Sequence, residues 1–128
     1  MYRLILATAI LLVAPATALA VTTGPAQPPT ISISGTGAPK CTKLPYTIQS
    51  VRHKVILRIT RSTAASAKAV KHVRLRNVKA GKYTLDWCGH DDVTHQVKPG
   101  TYFWRVGATA KAGDPVVWSG FRHVIVTA

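Results

Sequence analysis

The sequence predicts an all-β fold, a β-sandwich of about seven short antiparallel strands. Three observations carry this expectation. From residue 40 onward apolar and polar residues alternate with period two, the spacing that puts one side of a strand into a core. Turn signals recur at intervals of roughly eight to twelve residues, among them Ala80-Gly81, Pro99-Gly100 and Gly113-Asp114-Pro115. The large rings Tyr83, Trp87, Tyr102 and Trp104 all fall on faces that the alternation assigns to the interior.

Taken in order, Tyr46-Thr47-Ile48-Gln49-Ser50-Val51 follows Pro45 and is rich in β-formers. Lys54 to Arg61 places Val55, Leu57 and Ile59 on one face, with Arg58 and Thr60 on the other. The stretch Ser62 to Lys71 is rich in alanine but has no apolar stripe, so it reads as a loop. Val70 to Val78 sets Val73 and Leu75 against His72, Arg74 and Arg76. After the Ala80-Gly81 turn, Tyr83, Leu85 and Trp87 share a side. Thr101 to Thr109 does the same with Tyr102, Trp104, Val106 and Ala108. Val116-Val117-Trp118 and Phe121 to Thr127 close the chain as one strand, or as two interrupted by Ser119-Gly120.

The stretch Lys79-Ala80-Gly81-Lys82-Tyr83-Thr84-Leu85-Asp86-Trp87-Cys88-Gly89-His90-Asp91 leads into a second one. That second piece is Val97-Lys98-Pro99-Gly100-Thr101-Tyr102-Phe103-Trp104-Arg105-Val106. Together they resemble the immunoglobulin-like domain of the flagellar hook-capping protein family. The upstream segment Tyr46 to Val78, with Ile59-Thr60-Arg61-Ser62, is similar to the preceding strands of that module, so the resemblance covers about half the chain. The closing Trp118-Ser119-Gly120-Phe121 resembles fibronectin type III strands. Both resemblances imply an immunoglobulin/fibronectin III-like sandwich. They carry over no catalytic residue and no flagellar role, because one fold hosts many functions. Where the family has Asp after the Trp, this chain has Cys88; paired with Cys41, it would tie the first strand to the turn after Trp87.

The N-terminus reads as an export signal. One cation, Arg3, precedes the apolar run Leu4 to Ala14; Pro15 follows, and Ala18-Leu19-Ala20 offers small residues to a peptidase. The run is shorter than the roughly twenty residues of a membrane helix, so no span is expected after cleavage. Residues 1–20 are therefore expected to be a signal peptide, 21–39 a Pro/Gly/Thr/Ser-rich linker in which the alternating Thr30-Ile31-Ser32-Ile33-Ser34 could become an edge strand, and 40–128 the folded domain. The expected location is secreted or extracytoplasmic, at the cell envelope or beyond it. In such a compartment the two cysteines, Cys41 and Cys88, form one bridge, two free thiols or an intermolecular link, and compartment favours the bridge.

Charge narrows the partners. The chain has 17 Lys+Arg against 4 Asp+Glu, a formal net charge of +13, with no glutamate. Such a protein is drawn to anions, whether a cell-wall polymer or an acidic protein, although charge also serves solubility alone. Lys54, Arg58, Arg74, Arg76 and Arg105 fall on outward faces and form a candidate basic patch, with His53 and His72 close by. Nucleic acid is disfavoured, because the aromatics face inward and stacking needs them exposed. The segment His90 to His95 offers His90, Asp92 and His95 as metal candidates, but the spacing matches no zinc pattern and a polar turn explains it better. Glycine-rich phosphate loops and nucleophile elbows are missing. The reading is a non-catalytic module with a structural or binding role and no cofactor. Its alternatives are a cationic effector or inhibitor of an acidic target, and a small metal-dependent enzyme.

Overall fold

Among the described residues, period-two alternation resolves into nine strands: β1 (Val21–Thr23), β2 (Thr30–Ser32), β3 (Thr42–Ile48), β4 (Arg52–Thr60), β5 (Ala69–Val78), β6 (Gly81–Trp87), β7 (Gly100–Thr109), β8 (Val117–Trp118) and β9 (Arg122–Thr127). This computed structural model describes residues 21–128; the expected signal peptide, residues 1–20, lies outside the described residues. The fold is all-β, in two sheets. One is three-stranded, in the order β1-β3-β6; the other is six-stranded, in the order β2-β9-β7-β4-β5, with β8 also paired to β7.

The inward faces are those the alternation assigns. Val55, Leu57 and Ile59 of β4, Tyr102, Trp104, Val106 and Ala108 of β7, and Leu44, Tyr46 and Ile48 of β3 all join one apolar cluster shared by both sheets. Trp87 meets Tyr102 edge-on at 5.5 Å between ring centroids, a favoured aromatic geometry. Tyr83 is only half-buried because β6 is an edge strand; it stacks on Tyr46 at 5.5 Å instead of filling the centre.

Four expectations need correction. Residues 21–39 are not a linker. Val21–Thr23 pairs antiparallel with β3, Thr30–Ser32 pairs with β9, and Val21, Ala26 and Ile31 are buried. The composition misleads because Pro and Gly serve the bends between two short strands as readily as they serve a mobile tether. The strands are not all antiparallel either, since β2 runs parallel to β9. Third, β3 begins four residues before Tyr46 and runs through Pro45. The proline is tolerated in this central strand because its backbone polar groups face the side on which β1 has ended. Its carbonyl accepts from Gly24 N at 3.0 Å, one residue past that strand. Finally, the loop after β4 is shorter than expected, and β5 already starts at Ala69.

Cys41 and Cys88 are bonded within the chain. They lie one residue outside the Thr42↔Trp87 pair, so the bridge closes the open end of the β3–β6 ladder. Closing a loop of that sequence separation, 47, is worth about 4 kcal/mol in the chain-entropy account.

Candidate functional site

Register places the predicted cations in rows across the outer face of the six-stranded sheet. Residues directly opposite in an antiparallel pair project to the same side. Lys54 faces Arg76; Ile56 faces Arg74 on β5 and Gly107 on β7; Arg58 faces His72 on β5 and Arg105 on β7. All five predicted patch residues, Lys54, Arg58, Arg74, Arg76 and Arg105, are therefore brought onto one face. His72 joins them. His53 does not: it alternates with Lys54 and shares the parity of the inward Val55.

The centre of this face is occupied by a residue that the sequence placed in a closing strand. Trp118 pairs with Gly107, and its indole lies over that glycine. A Cβ at position 107 would stand 2.5 Å from Val116 Cγ1 and 2.6 Å from Trp118 Cε3, so only glycine lets the ring seat there. Beneath and beside the indole, Ile56 is buried although it points outward. The Arg105 guanidinium sits 4.2 Å from the Trp118 ring centroid and 4.6 Å from that of Phe121, held against both aromatic rings; Arg58 lies 6.0 Å from the indole. Neither aromatic figured in the predicted patch. A signal was present in Gly107, which interrupts an otherwise regular strand and so marks a close approach.

Between Trp118 and β5 lies a shallow pocket of about 330 Å3, lined by Ile56, Arg58, Ala69, His72, Arg74 and Trp118. Arg58 donates to the Ala67 carbonyl at 3.0 Å, which anchors its guanidinium at the pocket edge. Arg74 Nε donates to His72 Nε2 at 3.4 Å, a contact that requires a lone pair there and hence a neutral imidazole. Partial burial holds His72 below its ordinary value; the Arg74 and Arg58 charges add to this, and Asp92 opposes it. Burial, with Arg58 behind it, likewise lowers the Arg105 guanidinium. No carboxylate pairs with any of these arginines among the described residues, where the one ion-pair contact is His95 with Asp91 at 3.9 Å.

The metal candidates fare differently. Asp91 Oδ1 accepts from Val93 N at 3.0 Å and from His95 N at 2.8 Å, while Asp92 Oδ1 accepts from His72 N at 3.0 Å. Asp92 N in turn donates to the Val70 carbonyl, so this residue mimics a strand partner along the β5 edge. The carboxylates hold the loop closed and dock it on β5. His90, Asp92 and His95 do not converge: among the described residues no three His, Cys, Asp or Glu side chains gather to hold a metal ion. No described helix is long and apolar enough to cross a membrane.

No protein-family model and no curated protein matches the sequence. Three solved structures align with it in part. An alkylpurine DNA glycosylase, AlkC, of Pseudomonas fluorescens, bound to DNA with an abasic-site analogue, aligns at 15% identity and a TM-score of 0.49. That alignment covers 85% of this chain and 31% of the glycosylase. The PmoD soluble domain from Methylocystis sp. (Rockwell) aligns at 17% identity and 0.43, covering 83% and 88%. A Listeria innocua β-glucosidase in complex with gluconolactone aligns at 12% and 0.38, covering 84% and 16%. At these values nothing of their activities transfers to this chain.

Proposed function

We propose that this protein is a secreted, non-catalytic immunoglobulin-like module that holds an anionic polymer at the cell envelope or outside the cell through the outer face of its six-stranded sheet. The observation that carries the reading is the set of cations in register on that face with no carboxylate opposite them. A surface in which Lys54 faces Arg76 and Arg58 faces Arg105 places like charges against each other, a cost that a bound anion relieves.

The strand order supports the immunoglobulin-like part. Setting aside β2 and β8, the order β1-β3-β6 against β9-β7-β4-β5 parallels the A-B-E and G-F-C-C′ arrangement of such sandwiches. Tyr102, at the start of the strand in the F position, donates its hydroxyl to the Lys98 carbonyl four residues upstream, as the tyrosine corner of these domains does. Export is supported by the composition of residues 1–20 and by the intrachain bridge, which suits an oxidising compartment. Cleavage after Ala20 would also leave every described ladder residue in place. Of the four carboxylates, Asp91 and Asp92 already serve as loop acceptors.

The test is retention on an immobilised anionic wall polymer across a salt gradient. Retention should fall steeply with salt, since bound cations release counterions, and should weaken in an Arg74→Ser/Arg76→Ser variant. Unchanged retention in that variant would sink the proposal. For export, protein recovered from culture supernatant should begin at Val21; an N-terminus at Met1 overturns that part.

A further inference from the structure

The basic face is not uniform, and a concavity on it has a chemistry of its own. Along the Lys54–Arg76 row Arg76 is exposed and Lys54 half-buried beside the buried Thr109, with no pocket wall between them. One end of the Arg105–Arg58–His72 row is different, because Trp118 rises beside it and walls a pocket. Three lining groups, Ile56, Ala69 and Trp118, are apolar, and three, Arg58, His72 and Arg74, are nitrogen donors or become so on protonation. A pocket that divides this way selects a ligand that is itself divided.

We infer that this pocket binds a phosphorylated sugar unit, with the phosphate held by Arg58 and Arg74 and the sugar ring placed against Trp118 and Ile56. The inference rests on the anion-binding reading above and names the unit that the face recognises.

Shape and charge favour this ligand. Arg58 and Arg74 come from adjacent strands, two register positions apart, and both line the pocket, so two guanidinium groups are available to a tetrahedral oxyanion. Both keep donors beyond those used on the Ala67 carbonyl and the His72 ring. The volume, about 330 Å3, stands at the small end of ligand pockets and exceeds what a bare phosphate needs. The wall is fixed in place: Gly107 admits the indole, and Arg105 is held against the indole by Phe121. His72 faces Arg58 and Arg74 in the pocket and Asp92 behind its own backbone, so it reports occupancy. A phosphate beside it favours the charged imidazole and raises its titration point.

The experiment uses the purified protein at constant ionic strength, with chloride as the balancing anion. Glucose 1-phosphate, inorganic phosphate and glucose are titrated while His72 is followed by NMR and Trp118 by fluorescence. Glucose 1-phosphate should bind at least about tenfold more tightly than inorganic phosphate, since the ring contacts add to the anion contact. It should raise the His72 titration midpoint, and glucose alone should do neither. Arg74→Gln, at an exposed position, should abolish the His72 response without loss of fold. Gly107→Ala, which displaces the indole, should lower the preference for the sugar ester towards one. Equal binding of the two phosphates, or a His72 response that survives Arg74→Gln, overturns the inference. If glucose 1-phosphate fails to bind while salt-dependent retention on polymer persists, only the pocket assignment falls. If retention disappears as well, the wider reading falls with it.

Discussion

The His90–His95 loop and the Trp118 face each carry several titratable side chains, yet they are built in opposite ways. In the loop the charged groups already have partners. Asp91 takes two backbone N–H groups and Asp92 a third, so the carboxylates act as fasteners. On the face, Arg58, Arg74 and Arg105 pair with no carboxylate among the described residues; Arg58 donates to a backbone carbonyl, Arg74 to a ring nitrogen, and the Arg105 guanidinium lies over two aromatic rings. A cluster of polar residues is thus a candidate site when its hydrogen-bonding and charge capacity remains open, and a structural element when that capacity is closed.

The largest test strikes the base of the loop. Cys41→Ser/Cys88→Ser should cost about 4 kcal/mol in urea denaturation. At a temperature where the variant is still folded, its polymer retention should match the parent, because the bridge joins β3 and β6 of the other sheet. Retention that falls with the bridge would show that the two regions are coupled.

A paired comparison comes next. Asp91→Ala removes the acceptor of two backbone N–H groups and should cost about 1–2 kcal/mol with retention intact. Gly107→Ala forces a methyl to within 2.5 Å of Val116 and should cost about 1–3 kcal/mol. Retention should drop in that variant, and its tryptophan emission should shift. Equal effects of the two variants on retention would erase the distinction drawn between loop and face.

The smallest effect is a pH dependence. His72 titrates below its ordinary value in the folded chain. On acidification the unfolded chain takes up this proton first, near pH 6.5, while the folded chain still resists it. Stability is therefore full above about pH 6.5 and declines as pH falls towards the folded value. Denaturation midpoints at pH 7.5 and pH 5 should differ in the parent and differ less in His72→Gln. Bound sugar phosphate should shrink the difference in the parent, because the anion stabilises the charged ring.

Much of the architecture was legible in residue order. The inward sets Val55/Leu57/Ile59 and Tyr102/Trp104/Val106/Ala108 were readable because a strand alternates strictly, and the five basic patch positions followed from the same parity. Within residues 21–39 the alternation of Thr30 to Ser34 was readable as a candidate strand, but Val21–Thr23 escaped because Pro, Gly and Thr look alike in a tether and in short paired strands, and its partner, β3, lies far along the chain. Trp118 escaped for the same reason. Its face is decided by its pairing with Gly107, and two residues of strand carry too little pattern to reveal that.

By itself, then, the sequence determined the all-β class, the apolar face of each long strand and the excess of positive charge, all properties of local alternation and composition. Tertiary structure alone decided which cations share a row, that an indole stands among them, and that the loop carboxylates already hold backbone donors. Those depend on register between strands distant in sequence, where a shift of one residue would turn every side chain to the other face.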